Sequence, residues 1–285
     1  MIENINWYPG HMKKTRELIQ QNLKAVDVCV EIIDARIPKS SRNPVIDELV
    51  GDKTRIVVLG KGDLADQKAS EEWIRAIKDS GQQAVMMNSM TGAGSKDLLA
   101  ILDRLDKERK KTAPGEVGTA RQNRPMRIMV VGVPNVGKSS FINRMTGRKS
   151  AQVGDRPGVT KGKQWLTLKN GMQLLDTPGI LWPKFEDQKV GLNLAFCGSI
   201  KDEILDSADL ALELIRLLQE EYPDLLTERY KLEELDEDAL INMEAIAAKR
   251  GFIMAGKRID YERTARTVLD EFRAGKIGRI TLEFP

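Results

Sequence analysis

The chain has 285 residues, 41% of them hydrophobic and 31% charged, the balance of a globular protein with room for one large domain or two. No apolar run approaches the ~20 residues of a membrane helix. Met1-Ile2-Glu3-Asn4 lacks the basic and apolar parts of a signal peptide, so a cytoplasmic location is expected. Cys29 and Cys197 have no C-x-x-C spacing and read as reduced core thiols. The net charge of +3 conceals an asymmetry: residues 1–199 carry 32 Lys/Arg against 22 Asp/Glu, and residues 200–285 carry 13 against 20. Within the acidic part, 249–279 is basic again. Such blocks suit a polyanion, RNA above all, although most single charges in them only solvate a helix face.

The first 185 residues alternate strand and helix, the pattern of an α/β sheet with crossover helices. They are read as one domain, 1–185, followed by a smaller all-α domain, 186–285. A helix including 13–24 precedes a strand over 26–33. Strand 56–59 precedes a helix over about 66–80, with Asp66 as its N-cap. Strand 84–87 leads into the turn-rich loop 88–94 and a helix from Ser95 into the basic stretch 107–111. Residues 112–125, with Pro114, Gly115, Gly118 and Pro125, form an exposed linker. Strand 126–131 meets a glycine-rich turn and a helix, and strands 164–168 and 172–175 follow. From Ile204 the period turns helical: Ile204, Leu205, Ala208, Leu212, Ile215 and Leu218 share a face up to Tyr222-Pro223. Two further helices are expected over 237–250 and 261–273.

The run Gly132-Val133-Pro134-Asn135-Val136-Gly137-Lys138-Ser139 is a G-x-x-x-x-G-K-[ST] loop placed between a strand and a helix. Gly132 and Gly137 let the backbone curl so that successive N–H groups face phosphates. Pro134, Asn135, Val136, Gly137, Lys138, Ser139 and Ser140 are therefore expected at a nucleotide, with Lys138 on the β- and γ-phosphates and Ser139 on Mg²⁺. Downstream, Asp176-Thr177-Pro178-Gly179 supplies a carboxylate for Mg²⁺ through water and a Gly179 N–H for the γ-phosphate. Between them Thr160, in Arg156-Pro157-Gly158-Val159-Thr160, fits a switch residue that reaches Mg²⁺ only beside a γ-phosphate. The base is expected at Gly60-Lys61-Gly62-Asp63. There the Asp63 carboxylate would accept from guanine N1–H and N2–H₂, the Lys61 stem would stack on the purine, and Asn88, Ser89 and Met90 would meet guanine O6. These base-reading residues precede the phosphate loop instead of following it, which is the order of a circularly permuted G domain. Gly60 stands where the signature carries Asn or Thr, and the lost side chain is expected to weaken binding by about 1–2 kcal/mol.

That order, with Asp34-Ala35-Arg36-Ile37-Pro38, the opening Trp7-Tyr8-Pro9-Gly10-His11-Met12, Asp176 through Lys184, and Gly275-Lys276-Ile277-Gly278-Arg279, resembles the ribosome biogenesis GTPase A family. These are circularly permuted GTPases that assist large-subunit assembly in bacteria. The resemblance covers nearly the whole chain, and Gly60 is its clear departure. It implies a permuted P-loop G domain followed by a helical domain that docks on ribosomal RNA. It further implies cytoplasmic action on a late large-subunit precursor, with hydrolysis stimulated by the particle.

Hydrolysis requires a water held in line with the γ-phosphate. The position after Asp176–Gly179 is Ile180, which cannot hydrogen-bond water. His11, the single histidine, follows the flexible Pro9-Gly10 and could be brought over the γ-phosphate, or it is an ordinary exposed imidazole. The resemblance implies the catalytic role. Similar GTPases with Asn at the position of Asn135 bind K⁺ beside the phosphates, while Arg36 and Arg156 are no clearer as charge donors. An ATPase or small-molecule kinase is disfavoured by Asp63 and Ser89. A non-hydrolysing GTP-responsive RNA scaffold stays open at this point, and a monomer is the default.

Overall fold

The computed structural model describes residues 10–111, 124–147, 165–202 and 205–285, with only the backbone of residues 10 and 11. The expectations on Thr160, Arg156, Ile204, residues 112–123 and the His11 side chain lie outside the described residues.

Strand β1 (Val28–Asp34) is buried at all seven positions, as a central strand covered on both faces must be. β2 (Arg55–Gly60), β3 (Gln83–Met86), β4 (Arg127–Val131), β5 (Trp165–Thr167) and β6 (Gln173–Asp176) complete one sheet. Its order is β3-β2-β1-β4-β6-β5, parallel throughout except for the antiparallel edge strand β5. Chain order runs outward from β1 through β2 to β3 on one side, while the other side holds β4, then β6, then the edge strand β5. The order therefore reverses between β1 and β4, which places a crevice at their carboxyl ends.

The helices α1 (Gly10–Leu23), α3 (Gln67–Asp79), α4 (Ser95–Lys111) and α5 (Lys138–Thr146) fall where periodicity puts them. Asp66 caps α3 by accepting from the Ala69 amide at 2.8 Å. Three short helices were not anticipated. α2 (Pro44–Val50) and α6 (Gln188–Phe196) are too brief to show a period, and their signals are local: Asn43 accepts from Val45 N–H and Asp187 from Lys189 N–H. α8 (Pro223–Tyr230) starts at the proline that ends the preceding helix, because a proline is tolerated at the first helical position. α7 (Ser207–Glu221) and α9 (Ala239–Arg250) start two or three residues later than periodicity suggests, behind their caps Asp206 and Asp238. α10 (Tyr261–Arg273) packs on α7 and α9. Glu271 of α10 binds Arg229 of α8 at 2.6 Å and Arg250 of α9 at 3.0 Å, pinning three helices together. Among the described residues, no helix is long and apolar enough to cross a membrane.

One hydrophobic cluster runs from the sheet (Val30, Ile128, Leu174) into the helices (Leu214, Ile246, Val268) and on to Ile280 and Leu282 near the carboxyl end. Cys29 and Cys197 are free and buried, and burial pushes both thiols up to about 12, so they stay protonated. The sheet and the helices are further tied through Asp34 and Arg36. Arg36, only 1% exposed, donates to Asp34 Oδ1 from Nε at 2.9 Å and to Oδ2 from Nη2 at 2.8 Å. Its guanidinium also lies over the Phe272 ring at 5.3 Å. Burial acts to raise the Asp34 pKa, but the Arg36 and Lys61 charges and the Arg36 hydrogen bonds outweigh it and hold the carboxyl well below its usual range.

Asp34→Asn should therefore leave Arg36 buried without a counter-charge and cost about 3 kcal/mol in urea unfolding. Because the folded pKa is depressed, that difference should be fully present above the ordinary aspartate value of 3.8 and shrink only as pH falls below it. A loss smaller than about 1 kcal/mol at pH 7 would show that the pair does not hold the two parts together.

Candidate functional site

Every parallel strand ends on the same side of the sheet, so the loops after β1, β2, β3, β4 and β6 gather along one edge. The register sets Asp34 beside Gly60, Leu59 beside Met86 and Val130 beside Asp176. Thus the segments expected to meet phosphate, metal and base do share one edge.

After β4 the chain turns through Gly132–Gly137 into α5, with Asn135 and Gly137 both left-handed at φ 56° and 103°. That curl aims amides at the helix N-terminus, a ready anion site. Lys138 folds back on the loop, donating to Gly132 O at 3.1 Å and Val133 O at 2.7 Å. Burial pushes its ammonium pKa down to about 8, against the opposing pull of the Asp176 charge. Asn135 donates from Nδ2 to Gly198 O at 2.7 Å, which fixes one edge of its carboxamide against the segment after α6.

The Asp176–Gly179 segment lies directly on this loop. A Cβ at Gly179 would stand 2.6 Å from Pro134 Cα, so only glycine allows the approach. Thr177 Oγ1 donates to Val130 O at 2.5 Å and Ile180 N–H to Gly132 O at 3.2 Å. Asp176 is buried, and its Oδ1 has no hydrogen-bond partner. Burial raises its pKa, with the Lys138 charge and the Thr177 amide pulling the other way. An orphaned, buried carboxylate oxygen suits a divalent cation, and Ser139, half-buried in the first turn of α5, offers a hydroxyl. Ile180 is fully buried, with its carbonyl accepting from Asn43 Nδ2 at 2.8 Å, so this side chain faces the core and cannot address water.

On the base side, Asp63 is exposed just beyond β2. Lys61 is left-handed at φ 57° and sets its ammonium 3.1 Å from Asp34 Oδ2. Gly60 has no left-handed backbone. A Cβ there would stand 3.5 Å from Val136 O and 3.3 Å from Ile32 Cγ2, so a side chain at this position would bridge the base loop to the phosphate loop. Gly62 is buried, and a Cβ on it would meet Met86 at 2.9 Å. Asn88 Oδ1 accepts from Met90 N–H at 2.8 Å and Thr91 N–H at 3.0 Å, which sets the turn that leaves Met90 75% exposed. Arg144, late in α5, donates to Ser89 O at 2.8 Å and also to Met90 O. It ties the helix behind the phosphate loop to the base-side turn. Sequence reasoning did not select Arg144, because nothing local marks a basic residue one turn from a helix end as a partner of residues 54 and 55 positions earlier.

A family model described as "50S ribosome-binding GTPase" matches residues 127–252. The matched span begins at β4 and leaves out β1, β2 and β3, which carry the base-side loops. Ribosome biogenesis GTPase A of Bacillus cereus is 47% identical, the match covering 99% of this chain and 94% of that protein. Mitochondrial ribosome-associated GTPase 1 of Bos taurus is 32% identical over 97% of this chain and 88% of its own. The solved structure of GNP-bound YlqF from Thermotoga maritima superposes with a TM-score of 0.66 at 28% identity, covering 95% of this chain and 98% of that one. A circularly permuted P-loop G domain, together with 47% identity across nearly the whole chain, makes this GTP hydrolase a member of the ribosome biogenesis GTPase A family.

Proposed function

We propose that this GTPase assists late assembly of the large ribosomal subunit in the cytoplasm and hydrolyses GTP to GDP and phosphate when docked on that precursor. The observation that carries the reading is the gathering of Gly132–Ser139, Asp176–Gly179, Gly60–Asp63 and Asn88–Met90 on one sheet edge despite their permuted order. The names of the relatives, ribosome biogenesis GTPase A and mitochondrial ribosome-associated GTPase 1, support the partner. On this reading 1–185 forms the GTP-binding domain and 186–285 the ribosome-docking one, acting as a monomer. Of the basic residues in the second part, Arg250 is committed to Glu271, and Arg263 stacks over Phe252 at 4.4 Å. Lys249, Lys257, Arg258 and Arg266 stay exposed and are the side chains offered to RNA phosphates.

In the bound state Lys138 leaves the Gly132 and Val133 carbonyls for the β- and γ-phosphates. The N–H groups of Asn135 through Ser140 wrap the phosphate chain, with Pro134 shaping the turn but donating nothing, and the Gly179 N–H meets the γ-phosphate. Ser139, Thr160 and Asp176 would hold Mg²⁺, and Asn135 would help hold K⁺. When bound, these cations neutralise the charge that builds on the phosphate oxygens. Asp63 and the Asn88, Ser89 and Met90 turn read the base. With Ile180 in the core, His11 orients the attacking water once the particle brings α1 to the site.

GTP turnover measured in potassium and in sodium buffers, with and without purified large subunits, should be strongest with particles in potassium. His11→Ala should remove that stimulation while nucleotide binding persists; a variant as fast as wild type would eliminate the histidine mechanism. Asp63→Asn should lose GDP affinity and gain xanthosine diphosphate affinity, since an amide donates where the 2-oxo group accepts. Unchanged base preference would exclude Asp63 as the reader. Gly60→Asn should tighten GDP binding by about 1–2 kcal/mol through a restored bridge to the Val136 carbonyl. Equal or weaker GDP affinity on calorimetry would count against that account of Gly60.

A further inference from the structure

The loop that carries Asp63 is held chiefly by the far end of the chain. After α10 the backbone runs back along the carboxyl edge of the sheet as a strap. Arg279 donates from Nη2 to Gly62 O at 2.9 Å and from Nε to Ala65 O at 2.8 Å. Ile280 N–H donates to Leu64 O at 3.0 Å, and the Asp66 N–H donates to Thr281 Oγ1 at 3.0 Å. Backbone groups of the four residues around Asp63, namely 62, 64, 65 and 66, are thus bound by three consecutive strap residues. The Asp63 side chain itself stays exposed.

The strap is anchored further at the residues that end and follow this contact. Tyr222, between α7 and α8, donates its hydroxyl to Thr281 O at 2.7 Å. Leu282 N–H donates to Arg36 O at 2.8 Å, and Trp73 Nε1 donates to Glu283 O at 2.8 Å. The buried Glu283 carboxylate accepts from Lys39 N–H at 2.7 Å and Asn193 Nδ2 at 3.0 Å, besides the Ser40 hydroxyl. This fixed frame matters because Gly60 lacks the side chain that would tie the base loop to the phosphate loop.

We infer that Arg279 is a positioning residue for guanine selectivity, its guanidinium fork bracing the Gly62 and Ala65 carbonyls so that Asp63 meets the base. The inference rests on the assignment of Asp63 as the guanine reader. A fork bonded to carbonyls on both sides of Asp63 restricts the loop, and selectivity depends on how well the carboxylate is preorganised for N1–H and N2–H₂ together. A lysine offers one point donor and cannot span both carbonyls.

The test compares ribose-labelled GDP with IDP, which lacks the N2 amino group, on the full-length protein. Wild type should prefer GDP, and Arg279→Ala should reduce the GDP-to-IDP affinity ratio by about tenfold, IDP losing less because it offers Asp63 only the N1–H. Arg279→Lys should recover only part of it. Thr281→Val, which removes the acceptor of Asp66 N–H at a buried, nearly isosteric site, should shift the ratio in the same direction. An unaltered ratio in both Arg279→Ala and Thr281→Val overturns the inference while leaving Asp63 in its role. Equal losses for GDP and IDP also overturn it, because the strap would then support binding without reading the base. A wild type that does not separate GDP from IDP removes the Asp63 assignment and the inference together.

Discussion

The rest of the molecule is arranged around the buried pair of Asp34 and Arg36. Asp34 ends the central strand β1, beside the point where strand order reverses, and Arg36 is 1% exposed. Two charges in such a place are tolerable only when their hydrogen-bonding groups are occupied. The Asp34 carboxylate accepts from the Arg36 amide and guanidinium and faces the Lys61 ammonium at 3.1 Å. Arg36 also reaches the Arg273 carbonyl at 3.5 Å and lies over Phe272, both in α10. A single ion pair thereby joins the sheet, the loop after β2 and the helical part.

Permutation is physically inexpensive here because a parallel sheet delivers every strand end to the same edge, whatever the order in which the strands are made. What the chain must still provide is a link from α4 back to β4 and a way to keep the base loop fixed against the phosphate loop. Arg144 meets part of the second need by joining α5 to the Ser89 and Met90 carbonyls. The strap from 275 to 283 meets more of it. The same contacts make the helical part a support for the loop that carries Asp63, since Tyr222 after α7 and the strap after α10 hold residues 62 to 66 in place.

The phosphate side depends on close approach instead of charge pairing. Gly179 rests on Pro134 with no room for a Cβ, and Lys138 stays near two loop carbonyls with its pKa pushed down to about 8 by burial. Asp176 retains an unpartnered oxygen in the same region. Burial works against the charged form of both the lysine and the carboxylate, and the charge of each partly offsets that for the other.

Much of this was legible along the chain because its causes are local. The glycines of 132–137, the cap at Asp66, the apolar runs of β1, β2 and β4 and the helical periods of α7 and α10 each act within a few residues of themselves. The sequence by itself determined the α/β class, the permuted order, the glycine-rich turn from β4 into α5 and the place of Asp63 just beyond β2. Short helices such as α2 and α6 escaped notice because seven or nine residues hold too few turns to display a period. Only the tertiary structure decided the partners of Arg36, Arg144, Arg279 and Glu283. A guanidinium or carboxylate bonded to backbone groups 54 to 244 positions away leaves no pattern in the sequence, since any residue can supply the carbonyl or amide it needs.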